Sequence, residues 1–232
     1  MIPEEKIVVA LDTTEKEQVA RIFSALRGHK VWIKIGMEAY YNFGAKIVLD
    51  AKKEGFRVFL DLKLHDIPTT VEKSMRTLTK LPIDMINVHA AGGSEMMRKA
   101  AEAVKAVPNR PLLVAVTQLT STTEEQMNKE QLIPGELIES VTHYASLTKN
   151  SGIDGVVCSP FEVQTIKMVC GNRFICVTPG IRPLGVAMND QARVMTPMDA
   201  FRKGSDLMVI GRPITEASSP ALALRNITKG SE

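Results

Sequence analysis

The charged residues of the segment DLKLHDIPTT, residues 61–70, are the first candidates for chemistry in this sequence. Asp61 and Lys63 are separated by one residue at the end of an apolar run, so both side chains would point to the same face of a strand. Asp66 follows at the start of a predicted helix. A charged pair of this kind is typical of functional sites and can supply a cation and a proton donor. The alternative is an ordinary ion pair at a strand end, with Asp66 as helix N-cap and Pro68 in the first turn.

A second cation, Lys34, needs an explanation because it lies within the apolar run WIKIG. A cation in such a run must be paired or face a polar cavity. Asp12 and Asp61 end the runs before and after it, which predicts a network of Asp12, Lys34, Asp61 and Lys63. Asp12 has an alternative role, because Glu15 three residues later completes a pattern typical of a helix capping box.

The elements that must position these residues are short apolar runs that alternate with amphipathic segments. Most of the runs are continuous rather than alternating in polarity, which is typical of parallel strands buried on both faces. The eight runs are residues 7–11, 31–35, 58–62, 85–88, 112–116, 155–157, 174–177 and 207–210. Helical periodicity occurs at residues 15–26, 71–80, 95–107, 136–149, 161–168 and 214–229.

This alternation predicts an α/β protein with parallel strands and right-handed crossovers. Eight strand–helix repeats in 232 residues favour a closed (β/α)8 TIM barrel, with residues 1–232 as a single catalytic domain. Functional residues of such barrels collect at the C-terminal ends of the strands, where the charged network and the polar residues Thr117, Gln118 and Thr120 would then meet.

The end of the last apolar run is a candidate phosphate site. Gly211 and Arg212, followed by Pro213 at a helix start, offer backbone N–H groups and a guanidinium where barrels commonly bind phosphate. The alternative is a plain turn between strand and helix. Residues 179–196 are polar, rich in Gly and Pro and long for such a connection, which suits a lid, and Gln191 on that lid could reach a phosphate.

A metal site is a weaker hypothesis. His65 and His89 could join Asp61 as ligands, but isolated histidines beside strands are more often hydrogen-bonded core residues. The three cysteines are an odd number and form no C-x-x-C pair, which speaks against a disulfide framework and a zinc site. We expect them to be reduced and buried, and we expect no bound metal.

Composition excludes several classes of protein. The net charge of +3 comes from 29 basic and 26 acidic residues scattered along the chain, so nucleic acid is not an expected partner. The start MIPEEK does not have the basic and apolar regions of a signal peptide. The longest aliphatic run, residues 112–116, is too short to span a bilayer. We therefore expect a cytoplasmic protein with no membrane partner.

Four blocks, in order along nearly the whole chain, resemble the orotidine 5′-monophosphate decarboxylase family. They are VALD from Val9, DLKLHDIPTTV from Asp61, VTPGIR from Val177 and VIGRPIT from Val209, and the second resembles the family pattern D-x-K-x-x-D-I-P-x-T. The resemblance implies cofactor-free decarboxylation of orotidine 5′-monophosphate to uridine 5′-monophosphate in de novo pyrimidine biosynthesis.

The resemblance also implies roles for individual residues. Asp12 and Lys34 would hold the ribose hydroxyls, and Thr120 would meet the pyrimidine edge. The other implied substrate contacts, which include the phosphate ligands, are Pro179, Arg182, Gln191, Gly211 and Arg212.

Lys63 is implied to stabilise the carbanion at C6 and to protonate it. It would lie between Asp61 of its own subunit and Asp66 of the other, together with Ile67 and Thr70. The resemblance thus implies a homodimer with Asp66, Ile67 and Thr70 acting in trans.

Two rival hypotheses remain. A magnesium-dependent enzyme resembling the 3-keto-L-gulonate 6-phosphate decarboxylase branch shares the D-x-K-x-x-D strand end. Such relatives use an acidic residue at the strand where this chain has Lys34, which would repel a divalent cation. A catalytically silent phosphate-binding barrel is the other rival, and the intact Asp61, Lys63 and Asp66 argue against it.

Overall fold

Eight parallel strands close into a barrel in a computed structural model that describes residues 1–183 and 194–230. Each strand pairs with its neighbours in sequence, and β8 closes the ring against β1. The strands are β1 (Ile7–Leu11), β2 (Trp32–Gly36), β3 (Arg57–Leu64), β4 (Met85–His89), β5 (Leu112–Val116), β6 (Gly155–Val157), β7 (Ile175–Thr178) and β8 (Leu207–Ile210). The predicted TIM barrel is confirmed.

The helices surround the barrel and connect its strands. They are α1 (Lys16–Leu26), α2 (Met37–Phe43), α3 (Lys46–Lys53), α4 (Pro68–Leu78), α5 (Gly93–Lys105), α6 (Glu124–Lys129), α7 (Leu137–Asn150), α8 (Val163–Cys170), α9 (Pro197–Arg202), α10 (Arg212–Thr215) and α11 (Pro220–Lys229). The prediction of one helix over residues 214–229 is wrong. Pro220 cannot continue a helix but fits the first turn of a new one, so α11 begins there.

Both capping roles considered for the aspartates are wrong. Helix α1 begins at Lys16, after Glu15 as N-cap, and the hydroxyl of Thr13 accepts the N–H of Glu15. Helix α4 has Ile67 as N-cap, one residue beyond Asp66. Both carboxylates therefore lie outside the cap positions.

The alternation of side chains along the strands decides which residues point into the barrel. Trp32, Phe59 and Met85 belong to the apolar cluster that fills its interior, together with Val8, Val114, Val177 and Val209. Because successive residues of a strand face opposite sides, residues two positions further along also point inward. On β2, β3 and β4 those residues are Lys34, Asp61 and Asn87. The period-two pattern thus places polar side chains directly above an apolar floor.

Charged residues at the opposite end of the barrel hold strands together. An aspartate lies just before β4, β6 and β8, and each accepts the backbone N–H of a residue in the preceding strand. Each also pairs with a cation: Asp84 with Lys52, Asp154 with Arg110 and Asp206 with Lys167. These pairs lie away from the C-terminal mouth, and their role is structural.

Two further expectations concern cysteines and membranes. Cys158, Cys170 and Cys176 are all free and buried, as predicted. Among the helices of residues 1–183 and 194–230, none is long and apolar enough to cross a membrane.

Candidate active site

A cavity of about 700 Å³ opens at the C-terminal mouth of the barrel. Its floor is apolar, with Ala10, Phe59, Val157 and Val209 among the lining residues. The structure brings most of the predicted site residues together around it: Asp12, Lys34, Asp61, Lys63, Thr120, Pro179, Arg182, Gly211 and Arg212.

The charged network predicted from the sequence is present on one wall of the cavity. Lys34 Nζ lies 3.0 Å from Asp12 Oδ1 and 3.4 Å from Asp61 Oδ2. Lys63 Nζ lies 2.8 Å from Asp61 Oδ1. A Cβ atom at Gly36 would lie 3.1 Å from Asp12 Oδ1 and 3.2 Å from Lys34 Nζ, so glycine leaves room for this pair.

Burial and neighbouring charges shift the pKa values of Asp61 and Lys34 in opposite directions, and the neighbouring charges have the larger effect. Burial alone would raise the pKa of Asp61, but Lys34 and Lys63 outweigh it and hold that pKa below its ordinary value. Burial likewise disfavours the charged form of Lys34, yet the attraction of Asp61 and Asp12 raises its pKa. Both groups therefore stay ionised, and Asp61 is shared by two ammonium groups.

Asn87 is part of the network but was not predicted to be. Its side chain is fully buried, its Nδ2 donates to Asp61 Oδ1 at 2.6 Å, and its Oδ1 accepts the backbone N–H of Lys63 at 2.8 Å. The signal was available, because an amide inside the buried run MINV needs polar partners.

The backbone of Lys63 is unusual. Its φ angle is +51°, in the left-handed region that non-glycine residues adopt at a cost of about 1–3 kcal/mol. The pairing of β3 with β4 is irregular at this point, since Leu60 lies opposite Ile86 and Leu64 opposite Val88. Such strain is typical of functional sites.

Polar side chains from the end of β5 form another wall. Thr120 and Ser121 line the cavity, as does Gln118. The amide of Gln118 donates to Gln131 Oε1 and to Ser140 Oγ, each at 3.1 Å. Gln118 is therefore held in place by two side chains beside the predicted base-binding residue Thr120.

The wall formed after β7 and β8 is cationic. Arg182 is 8% exposed, and its Nε has no hydrogen-bond partner within the described part of the chain. Burial and the nearby Arg212 lower the pKa of Arg182, although Glu216 opposes them. A buried guanidinium with an unpaired N–H beside a second arginine favours a bound anion.

Three predicted residues lie outside the cavity of their own chain. Asp66, Ile67 and Thr70 are exposed and are not among its lining residues. The Asp66 carboxylate accepts only the adjacent N–H of Ile67, at 2.7 Å, among the hydrogen bonds of the described residues. The predicted phosphate ligand Gln191 falls outside the described residues, as do residues 184–193 of the predicted lid.

The two histidines considered as metal ligands stack on each other, with ring centroids 5.6 Å apart. The expectation of core positions is wrong for His65, which is exposed, and His89 is partly buried. Burial, His65 and Lys63 all lower the pKa of His89. Within residues 1–183 and 194–230, no group of three His, Cys, Asp or Glu side chains is arranged to hold a metal ion.

Comparison with known proteins places this barrel in a family. Residues 5–227 match the model of the "Orotidine 5′-phosphate decarboxylase / HUMPS family". The chain is 52% identical to "Orotidine 5′-phosphate decarboxylase" of Streptococcus thermophilus over 225 residues, covering 97% of this chain and 96% of that protein. It is 48% identical to the protein of the same name from Bacillus cereus over 227 residues, covering 96% of this chain and 95% of that protein.

Solved structures agree with this result. The crystal structure of "Orotidine 5′-phosphate decarboxylase" from Lactobacillus acidophilus superposes with a TM-score of 0.85 at 41% identity, covering 96% of this chain and 97% of that one. The crystal structure of an uncharacterized conserved protein from Geobacillus kaustophilus superposes with a TM-score of 0.86 at 43% identity, covering 97% of this chain and 100% of that one. This chain belongs to the orotidine 5′-phosphate decarboxylase / HUMPS family.

Proposed function

We propose that this protein decarboxylates orotidine 5′-monophosphate to uridine 5′-monophosphate in de novo pyrimidine biosynthesis, in the cytoplasm and without metal or cofactor. The relatives that carry this name are about half identical over nearly the whole chain. The observation that carries the proposal is the Lys34–Asp61–Lys63 network on the cavity wall.

The reaction demands a cation beside the reacting carbon. When the bond between C6 and the carboxylate breaks, CO2 leaves and the electron pair stays on C6, where no adjacent carbonyl can delocalise it. Lys63 places an ammonium group in the cavity, and its proton then forms the C6–H bond. Lysine regains a proton from water, so the cycle consumes one proton and needs no oxidant or reductant.

A single ion pair does not explain the whole rate enhancement. At a separation of about 4 Å and an effective dielectric constant of about 20, it contributes on the order of 4 kcal/mol, or roughly three decades in rate. The remainder must come from the preorganised network and from binding energy at remote parts of the substrate. Because Asp61 holds both ammonium groups, little reorganisation is needed when charge develops at C6.

Remote binding energy would come from the rest of the cavity. We assign Asp12 and Lys34 to the ribose hydroxyls and Thr120 to the pyrimidine edge. The proposed contacts on the side of the phosphate are Pro179, Arg182, Gln191, Gly211 and Arg212. In support, the two arginines lie near each other and line the same cavity as the lysines.

Replacing Arg212 with Ala is expected to lower kcat/KM for orotidine 5′-monophosphate by about two decades, through a higher KM and a lower kcat, because a charged hydrogen bond to phosphate is lost. Steady-state kinetics would measure both constants. The matched control is Arg202→Ala, since Arg202 is an exposed arginine on α9 outside the cavity. A kcat/KM equal to that of the unmodified protein would remove Arg212 from the phosphate site.

The site is proposed to be completed by a second copy of the chain. Asp66, Ile67 and Thr70 are exposed in a stretch that follows directly on the network, and Ile67 is 65% exposed. Their exposure leaves all three accessible to a second copy of the chain. In a homodimer with twofold symmetry, each copy would supply these residues to the other's cavity.

The magnesium-dependent rival is disfavoured by charge. A divalent cation at the end of β2 and β3 would meet the ammonium groups of Lys34 and Lys63, and Asp61 already pairs with both. The family description joins two names, so membership alone does not choose between the reactions.

A direct assay tests the substrate assignment. Purified protein is mixed with orotidine 5′-monophosphate, and turnover is followed by ultraviolet loss of the orotate chromophore and by CO2 release. We expect stoichiometric formation of uridine 5′-monophosphate. Turnover of 3-keto-L-gulonate 6-phosphate instead would favour the rival, and binding without turnover of either compound would favour a silent barrel.

A further inference from the structure

We propose that Asn87 is a positioning residue for the proton donor: it holds the backbone of Lys63 in its left-handed conformation and fixes Asp61 beside the lysine side chain. The proposal deepens the function proposed above and rests on it. It concerns the lysine's position, and assigns Asn87 no contact with the substrate.

The hydrogen bonds of Asn87 leave one orientation for its amide. A carboxylate can only accept, so the Asp61 oxygen 2.6 Å away must face the NH2 group. A backbone N–H can only donate, so the Lys63 nitrogen 2.8 Å away must face the carbonyl oxygen. One side chain thus bridges the main chain of Lys63 and the carboxylate that pairs with its ammonium group.

The irregular pairing of β3 and β4 explains why a bridge is needed. Asp61, Leu62 and Lys63 lie between the paired residues Leu60 and Leu64, whereas the facing segment of β4 contains only Asn87. Surplus residues interrupt the regular ladder of backbone hydrogen bonds. At Lys63 the backbone N–H is accepted by a side chain of the neighbouring strand.

The left-handed φ angle of +51° at Lys63 persists only if its surroundings hold it, because extended conformations are more favourable for lysine. Asn87 is 0% exposed and lies on β4, which is paired with a strand on each side. Its loss would free Lys63 to relax, and the position of Nζ relative to Asp61 and the substrate would change.

The first test is Asn87→Ala. We expect kcat to fall by about a hundredfold, as for a misplacement of about 1 Å at a reacting group. KM and the Kd of uridine 5′-monophosphate should stay within about threefold, since the phosphate and ribose contacts remain. A crystal structure of the variant should show Lys63 with negative φ.

The second test, Asn87→Asp, keeps an acceptor for the Lys63 N–H but places a carboxylate against Asp61. Asp61 pairs with two ammonium groups and the buried carboxylate at position 87 would have none, so like-charge repulsion and burial raise the pKa of the new carboxyl group. In its protonated form it can donate to Asp61 as the amide does, so kcat of Asn87→Asp should be highest at low pH and fall as pH rises, a pH dependence that Asn87→Ala should not show. The matched stability control is Val156→Ala, a buried truncation on β6 outside the cavity.

The outcomes separate this inference from the proposed function. If the unmodified protein turns over substrate and Asn87→Ala keeps kcat within about threefold, or loses only as much as Val156→Ala, the positioning role is wrong. A Lys63 φ that stays positive in the variant overturns it independently of any activity. Absence of turnover in the unmodified protein would overturn the proposed function instead.

Discussion

Replacing Lys63 with Ala is expected to abolish decarboxylation while leaving product binding nearly intact. The variant loses the cation beside C6, about three decades in rate, and the proton donor, about two to four more. We expect kcat to fall by at least roughly five decades, and the Kd of uridine 5′-monophosphate to change by less than about tenfold, because the proposed ribose and phosphate contacts do not involve Lys63. Single-turnover kinetics and calorimetric titration would measure the two quantities.

A matched control for this variant is Lys129→Ala. Lys129 is exposed on α6, pairs with Glu125 within the same helix and does not line the cavity. Its loss should leave kcat unchanged, because an exposed ion pair contributes little. A Lys63→Ala variant with kcat within about tenfold of the unmodified protein would show that another group donates the proton.

Replacing Asp66 with Asn is expected to lower kcat by about a hundredfold or more, although Asp66 lies outside the cavity of its own chain. The effect would arise at the neighbouring subunit's site. Co-expressed with Lys63→Ala, it should restore about a quarter of the unmodified activity, because random pairing makes about half of the dimers mixed and each mixed dimer has one intact site. Specific activity of the co-purified mixture measures this.

Asp50→Asn on α3 is the control, since the Asp50 side chain is 45% exposed, pairs with Lys46 and does not line the cavity. Asp50→Asn alone should be fully active. When it is co-expressed with Lys63→Ala, the fraction of intact sites should equal the fraction of Asp50→Asn subunits. A co-expressed pair of Lys63→Ala and Asp66→Asn that stays as inactive as either variant alone, or a protein that sediments as a monomer at assay concentration, would contradict a site shared between subunits.

Much of the barrel follows from local patterns in the chain. The continuous apolar runs predicted every strand of the barrel, with boundaries that differ by one or two residues at most. The period of two then explains why Lys34 and Asp61 point inward, since each follows an interior aromatic residue, Trp32 or Phe59, by two positions. A cation placed this way must find a carboxylate, which is why the network could be predicted from residue types alone.

Features that depend on neighbouring strands could not be predicted in this way. The bridge through Asn87 requires the irregular register of β3 against β4, and no local pattern encodes that register. The left-handed backbone of Lys63 has no glycine or asparagine to indicate it. The apolar periodicity of residues 214–229 continues through residue 220, so it does not indicate that a new helix begins at Pro220.

The capping roles considered for Asp12 and Asp66 failed for a related reason. Each aspartate lies shortly before a helix in the sequence. Helix α1 nevertheless has Glu15 as its N-cap, and helix α4 has Ile67. Asp12 instead accepts a hydrogen bond from Lys34 at 3.0 Å. Asp12 thus pairs with Lys34 and does not cap α1. This arrangement is favourable because an unpaired buried charge costs far more free energy than a missing helix cap.

Metal-stripped protein offers the most direct test of decarboxylation by the chain's own side chains. Protein dialysed against EDTA and returned to metal-free buffer is assayed with orotidine 5′-monophosphate by loss of orotate absorbance and release of CO2. We expect the same kcat before and after treatment, since Lys63 and Asp61 supply the charge and the proton in the proposed mechanism. Loss of turnover with EDTA, restored by added Mg²⁺, would contradict the proposed reaction at this site.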